Sequence, residues 1–469
     1  MEKTPQYDCT VIGAGPGGYT AAIKAAHLGF KTAIVEKGQT LGGTCLNVGC
    51  IPSKALLSST EPLLSIEQWA RQGISFSVPK VDLNKLMEWK SQAVLKLTSG
   101  VDLLMKNNKI DVYYGEAFAE NPHEILVHRE SHENLLIHTK SLILATGSLP
   151  VELPNLAFDG EYIIHSTHAL SLKSVPKDLV IVGAGPIGLE LGSVWSRLGS
   201  NVRVIEIMKE ILPGWDTETA SGLRKTLIKQ GIEFFLETRI LESKIKDGAV
   251  TLTGLNSRQE EVSFTADKVL VAAGRKSYTP LPLIENLGIK RDEKGKIITS
   301  SSFRTSAENV YAVGDCIQGP MLAHKAEEEG VACAEILAGN PGLVNYDAIP
   351  GVVYTFPEAA FAGKTEDQLK KEGVPFRKGR FFYRANGKAI ASGHITGTVK
   401  VLSHEKTDRV LGVHIFGAHS DILISEGVTV MEFEGSAEDM GRMVHAHPTL
   451  SEIVKEAALS AYDRPIHGF

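Results

Sequence analysis

The chain has 469 residues, enough for about three domains each with its own core, and its composition of 43% hydrophobic and 22% charged residues is that of an ordinary soluble protein. A formal net charge of −6 leaves no basic field for nucleic acid or an anionic membrane surface, and no apolar run reaches the roughly 18 residues of a spanning helix. Five cysteines are too sparse for a secreted, disulfide-built scaffold.

The first element in chain order is an apolar strand, "DCTVIG" from Asp8, within ten residues of Met1. That leaves no room for a signal or transit peptide, so a cytoplasmic protein is expected. The strand opens a unit that recurs: "CTVIGAGPGGYTAAIKAAHLGFKTAIVEK" at 9–37 aligns without a gap on "LVIVGAGPIGLELGSVWSRLGSNVRVIEI" at 179–207. Gly13, Gly15, Gly18, Gly29 and Glu36 stand against Gly183, Gly185, Gly188, Gly199 and Glu206. Each copy reads apolar strand, G-x-G-x-x-G, amphipathic helix, Leu-Gly break, apolar strand, acid, which is the dinucleotide-binding βαβ unit. The first glycine makes the tight turn, the second lets the backbone approach a pyrophosphate, and the third lets helix and strand pack closely. The diphosphate then meets free N–H groups at the positive end of the helix, and Glu36 or Glu206 can accept hydrogen bonds from a ribose diol.

Just after the first copy, "GGTCLNVGCIPSK" at 42–54 sets Cys45 and Cys50 among glycines. A structural bridge, a metal site and a redox pair are the competing readings. Cys9, Cys316 and Cys333 supply no second close pair, as structural zinc would want. A redox pair needs an electron carrier, and the two dinucleotide units provide one. A dithiol does not readily exchange hydride with nicotinamide, whereas a flavin takes electrons from thiolates and hydride alike, so one dinucleotide should be a flavin, held by the first copy. Residues five apart in a regular helix are about 7.5 Å apart along its axis, beyond the roughly 7 Å Cα limit for a disulfide. A bridge would need a distorted turn, with Gly49 the place for relief. "SLILATGS" (141–148) and "NVYAVGDC" (309–316) are further apolar strands ending in small residues, where Asp315 can bind a hydroxyl of a ribityl chain.

These motifs, with "GPMLAHKAEEEG", "IPGVVYTFPE", "FEGSAEDM" and "HAHPTLSE", carry a resemblance. From Tyr7 to about His467 the chain resembles the flavin-dependent pyridine nucleotide-disulfide oxidoreductases. The resemblance implies an α/β fold: two Rossmann-like domains, for FAD (1–148) and NAD (149–276), a central domain completing the FAD site (277–348), and a C-terminal α+β dimer-interface domain (349–469). It maps Gly13, Gly15, Gly18, Glu36, Lys37, Lys54, Gly115, Thr146, Gly147, Asp315 and Ala323 onto FAD contacts, and Gly183, Gly185, Gly188, Glu206 and Gly274 onto NAD contacts. Lys54 would lie near the flavin, paired with Glu190. Pro186 is a departure, standing where related sequences often place a bulkier gate over the flavin. The Gly-Trp of "ILPGWDTE" is another.

The implied activity is oxidation of protein-bound dihydrolipoamide to lipoamide with reduction of NAD. Cys45 would exchange with substrate and Cys50 would face the flavin. Thiolate chemistry needs a base, and His447, oriented by Glu452, is the candidate, facing Cys45 across a homodimer. "TLSE" at 449–452 is also a capping box, with Thr449 capping a helix and Glu452 reaching back. Implied partners are lipoyl domains and the acyltransferase core of 2-oxoacid dehydrogenase complexes, or the lipoyl carrier of glycine cleavage, with no metal, nucleic acid or membrane. Rival readings are a glutathione-type reductase, a mercuric reductase, or a mainly structural assembly subunit. The first would want arginines near Glu206 for a 2′-phosphate, and the second a terminal cysteine pair that "RPIHGF" lacks.

Overall fold

The computed structural model describes residues 4–74, 77, 79–129 and 133–468. The chain forms two compact units: Met1–Ala55 with Asn84–Val151 and Gly274–Val344, and Leu56–Leu83 with Glu152–Ala273 and Asn345–Phe469.

In the first unit, short apolar runs such as "TAIVE" are buried on both faces, as a parallel sheet between helices requires. The strand order is Asp111–Tyr114, Thr32–Glu36, Gln6–Ile12, Leu135–Leu144, with Val310–Ala312 added in parallel to the last of these. The two strands foreseen from "SLILATGS" and "NVYAVGDC" are therefore neighbours, Leu142 opposite Val310 and Leu144 opposite Ala312. Helices Pro16–His27 and Ala323–Leu337 lie against one another. Small residues permit this approach, since a Cβ on Gly330 would stand 2.5 Å from the Gly17 carbonyl oxygen.

The second unit repeats the arrangement. Strands Glu233–Phe235, Asn201–Ile205, Asp178–Val182, Lys268–Val271 and Ile163–Ile164 form a parallel sheet. Helix Pro186–Arg197 is apolar nearly all round and buried from Gly188 to Trp195. The same unit holds an antiparallel sheet in the order Gly351–Val353, Glu358–Gly363, Val410–Gly417, Thr398–His404, Phe376–Phe382. Helix Glu452–Ser460 packs on its last two strands. There it is seated on bare backbone: a Cβ on Gly379 would fall 1.9 Å from the Ala457 carbonyl oxygen. The α/β expectation holds, with an antiparallel sheet and helices toward the C-terminus.

Gly379→Ala must push this helix off the sheet and should cost about 1–3 kcal/mol. Gly100→Ala, where an added Cβ meets nothing within 4 Å on helix Leu83–Asn107, should instead stabilise by about 0.5–1 kcal/mol. Thermal midpoints of the two variants check this, and equal midpoints would contradict the close seating.

Candidate functional site

The two glycine turns are built alike. Gly13 has φ +98° and a Cβ there would lie 2.4 Å from the Ala145 oxygen; Gly183 has φ +110° and its Cβ would lie 2.5 Å from the Ala272 oxygen. Cβ atoms on Gly18 and Gly188 would collide with the carbonyl oxygens of Gly13 and Gly183 at 1.8 and 2.2 Å. Each helix starts with a proline after Gly15 or Gly185, with no side-chain cap and no acid in its first turn. The positive helix ends are thus left for an outside anion. The Glu36 carboxylate accepts the Ala14 and Gly38 N–H groups, each at 2.7 Å, and that of Glu206 accepts the Ala184 and Met208 N–H groups at 2.8 and 2.9 Å. The backbone thereby aims both acids beside a bare turn, with lone pairs to spare for ribose hydroxyls. A dinucleotide fits both cradles.

The cysteine segment is laid on the first turn. The Gly42 N–H donates to the Ala14 carbonyl at 2.8 Å, and a Cβ on Gly43 would stand 2.5 Å from the Gly15 Cα. Cys45 lies in helix Gly43–Val48 and Cys50 begins helix Cys50–Thr60. Gly49 breaks the two apart at φ −136°, ψ −108°, the relief that spacing demanded. Across this break the two side chains hydrogen-bond. That bond and then burial hold the Cys45 thiol far above the usual range, against an opposing pull from Lys54. Both sulfurs are partly accessible, whereas Cys9, Cys316 and Cys333 are buried. Burial pushes the Cys9 and Cys316 thiols up to about 12 and about 11.

Other predicted FAD residues gather in the same unit. The Asp315 carboxylate accepts the Ser148 hydroxyl at 2.5 Å, and Arg275 donates to that hydroxyl at 2.8 Å. The Thr146 hydroxyl donates to the Tyr278 carbonyl at 2.5 Å, the Tyr278 N–H donates to Gly147 at 2.8 Å, and the Lys37 ammonium lies 3.8 Å from the Tyr278 ring centroid. The Gly115 N–H donates to the Glu36 carbonyl at 2.8 Å, Gly147 has φ +78°, and Ala323 opens an uncapped helix. Ser148, Arg275 and Tyr278 were not foreseen; only the position of Arg275 directly after Gly274 hinted at the first two.

Gly274, which opens the last segment of the first unit, has φ +120°. The second unit holds the rest. Glu190 is buried and its Oε1 accepts the Tyr354 N–H at 3.1 Å. Beyond Glu206 opens a cavity of about 850 Å³ lined by Met208, Trp215, Asn256, Lys209 and Arg239. Arg239 comes there because the preceding Thr238 N–H donates to the Glu206 carbonyl at 2.9 Å. His447 Nδ1 bonds Glu452 Oε1 at 2.9 Å, while Glu452 Oε2 accepts the Thr449 N–H at 2.8 Å. The carboxylate thus serves as both ring support and turn closure. Thr449 does not cap the helix: its hydroxyl donates to the Ala446 carbonyl, and the helix N-cap is Ser451. Burial acts to raise the Glu452 carboxyl, but the Thr449 N–H and the His447 ring outweigh it and hold it below the usual range. The folded state gains from this contact above the ordinary carboxyl range and loses it as pH falls through the depressed value. The His447 side chain itself is 78% exposed, open to a reactant.

The pyridine nucleotide-disulphide oxidoreductase family model matches residues 7–330, and the dimerisation-domain model of that family matches residues 349–458. Dihydrolipoyl dehydrogenase 2, mitochondrial, of Arabidopsis thaliana is 46% identical over 462 residues, 98% of this chain and 91% of that protein. The mitochondrial dihydrolipoyl dehydrogenase of Canis lupus familiaris is 44% identical over 460 residues, 97% of this chain and 90% of that one. Among solved structures, the HOCl-induced flavoprotein disulfide reductase RclA from Escherichia coli superposes with a TM-score of 0.84 at 26% identity, covering 96% of this chain and 99% of its own. The cytoplasmic expectation is overturned by these relatives, whose names place them in mitochondria. That expectation rested on how little chain precedes the first strand, and the position of a strand carries no physical information about compartment.

Burial predicts that iodoacetamide alkylates native, reduced protein at no cysteine other than Cys45 and Cys50. Mild oxidation should join these two and abolish labelling, read as peptide masses. Labelling of Cys9, Cys316 or Cys333 before unfolding would contradict it.

Proposed function

The chain belongs to the pyridine nucleotide-disulphide oxidoreductase family, and we propose that within it the chain acts as a dihydrolipoamide dehydrogenase on protein-bound dihydrolipoamide. The observation that carries this reading is the Cys45–Cys50 pair, hydrogen-bonded across the Gly49 break and laid on the first dinucleotide turn. Its cofactors are FAD and NAD. When bound, the flavin supplies two-electron chemistry between a dithiol and a nicotinamide.

The protein's own steps follow from the sulfurs. In the oxidised chain a substrate thiolate attacks Sγ of Cys45, the Cys45–Cys50 bond breaks, and Cys50 leaves as a thiolate. The second substrate thiol then attacks the mixed disulfide, releasing lipoamide and leaving Cys45 and Cys50 reduced. Two substrate protons must be removed, because thiols near neutral pH are mostly protonated. His447 takes one proton at Nε2 while Glu452 holds Nδ1, and the reduced cysteine pair, whose two side chains share a hydrogen bond, keeps the other. The dimerisation-domain match supports a homodimer, and His447 of the partner subunit would serve Cys45. Lipoyl domains of 2-oxoacid dehydrogenase complexes or of glycine cleavage are the partners this activity calls for.

Cys50→Ser should lower NADH formation from free dihydrolipoamide by about 10³-fold or more. Glutathione and thioredoxin should be poor substrates of the unaltered enzyme. Retained turnover in Cys50→Ser would remove the redox role of Cys50, and absence of turnover in the unaltered protein would leave an assembly role.

Glu206 should exclude NADP by like-charge repulsion with its 2′-phosphate. Since Lys209 and Arg239 already line the cavity beyond it, Glu206→Ala alone should narrow the NAD to NADP preference by roughly tenfold. Steady-state kinetics with both nucleotides check this, and an unchanged ratio counts against Glu206.

A further inference from the structure

Helix Ala323–Leu337 contains an ion pair with no exposed surface. Lys325 Nζ lies 3.0 Å from Glu329 Oε1, and both side chains are 0% exposed. A buried pair of this kind seldom improves stability over an apolar pair of the same volume. Its geometry does something an apolar pair could not. Lys325 donates to the Gly314 carbonyl at 3.0 Å, and Glu329 Oε2 accepts the Gly314 N–H at 2.8 Å. Both polar groups of one residue are therefore gripped by charged partners one helical turn apart.

Gly314 has φ +80° and opens the 3₁₀ turn that carries Asp315. Asp315 is held from its far side as well, its carbonyl accepting the Ser277 hydroxyl at 2.6 Å. The same helix lies on the first dinucleotide-binding helix, where a Cβ on Gly17 would meet the Ala326 oxygen at 3.0 Å. One helix thus touches both the element that presents the phosphate turn and the turn that presents the carboxylate.

We infer that Lys325 and Glu329 are positioning residues for FAD: by clamping Gly314 they fix the Asp315 carboxylate in register with the Gly13–Gly18 turn. This rests on reading Asp315 as a flavin contact. With the clamp removed, Gly314 is free to rotate its peptides and the carboxylate no longer waits in place, so affinity for the flavin falls while the fold survives.

The test uses full-length dimer stripped of and reconstituted with FAD, comparing the wild type with Glu329→Gln and with the double variant Lys325→Met/Glu329→Gln. Glu329→Gln is isosteric but turns a donor toward either Lys325 or Gly314. The FAD dissociation constant, followed by flavin fluorescence, should rise roughly tenfold to a hundredfold in both variants. The double variant buries no unpaired charge, so its thermal midpoint without FAD should recover relative to a Lys325→Met single variant. A double variant that melts like the wild type and binds FAD within twofold overturns the clamp. Failure of both Glu329→Gln and the double variant to fold overturns it as well, in favour of a purely structural pair. Wild-type protein that never retains FAD would instead sink the reading of Asp315, a separate result.

Discussion

The close approach of Gly43 to Gly15 is the contact on which the chemistry depends. A side chain at Gly43 would lift the cysteine helix from the dinucleotide turn, since a single Cβ there already falls 2.5 Å from the Gly15 Cα. With Gly43 bare, the segment carrying Cys45 and Cys50 lies directly on the first glycine turn, the neighbourhood that the proposed passage of electrons from dithiol to flavin requires. The Gly49 break completes this arrangement. It turns the chain between two short helices so that Cys45 and Cys50 meet, which a continuous helix would forbid.

The same device of a bare backbone turn and a backbone-held acid is used twice, and the two copies serve different ends. In one unit the turn is combined with a dithiol. In the other it is combined with a cavity and, on the antiparallel sheet, with a histidine held by a carboxylate. Glu452 has two tasks: one oxygen closes the turn at Thr449 while the other orients His447, so turn closure and ring orientation share a single carboxylate.

What the sequence made legible is what the backbone demands of individual residues. Gly13 and Gly183 sit at positive φ against a neighbouring strand's oxygen, a place no other residue fits, and so they leave a spaced signature. Glu36 ends its strand and Glu206 directly follows its own, at the same spacing from those turns, and the runs at 141–148 and 309–316 show as apolar and contain strand residues. Gly49 could be anticipated because disulfide reach is a hard length. Side chains brought together by the fold left no comparable mark. Arg239 reaches the cavity beside Glu206 through a hydrogen bond of the preceding residue, Ser148 and Arg275 converge on Asp315 from distant segments, and Lys325 and Glu329 look in sequence like any charged i,i+4 surface pair. The capping-box pattern at 449–452 was ambiguous because one carboxylate satisfies both readings at once.

The central claim is that the dithiol of one chain works with the His447–Glu452 pair of its partner. Mixing Cys45→Ser and His447→Gln, each inactive alone, and allowing subunits to exchange tests it most directly. Random pairing in a two-fold dimer gives half heterodimers, each with one site carrying both defects and one carrying neither, so activity should return to roughly a quarter of the wild-type level. Exchange verified by mass with no recovered activity would place the whole site within a single chain and contradict the account.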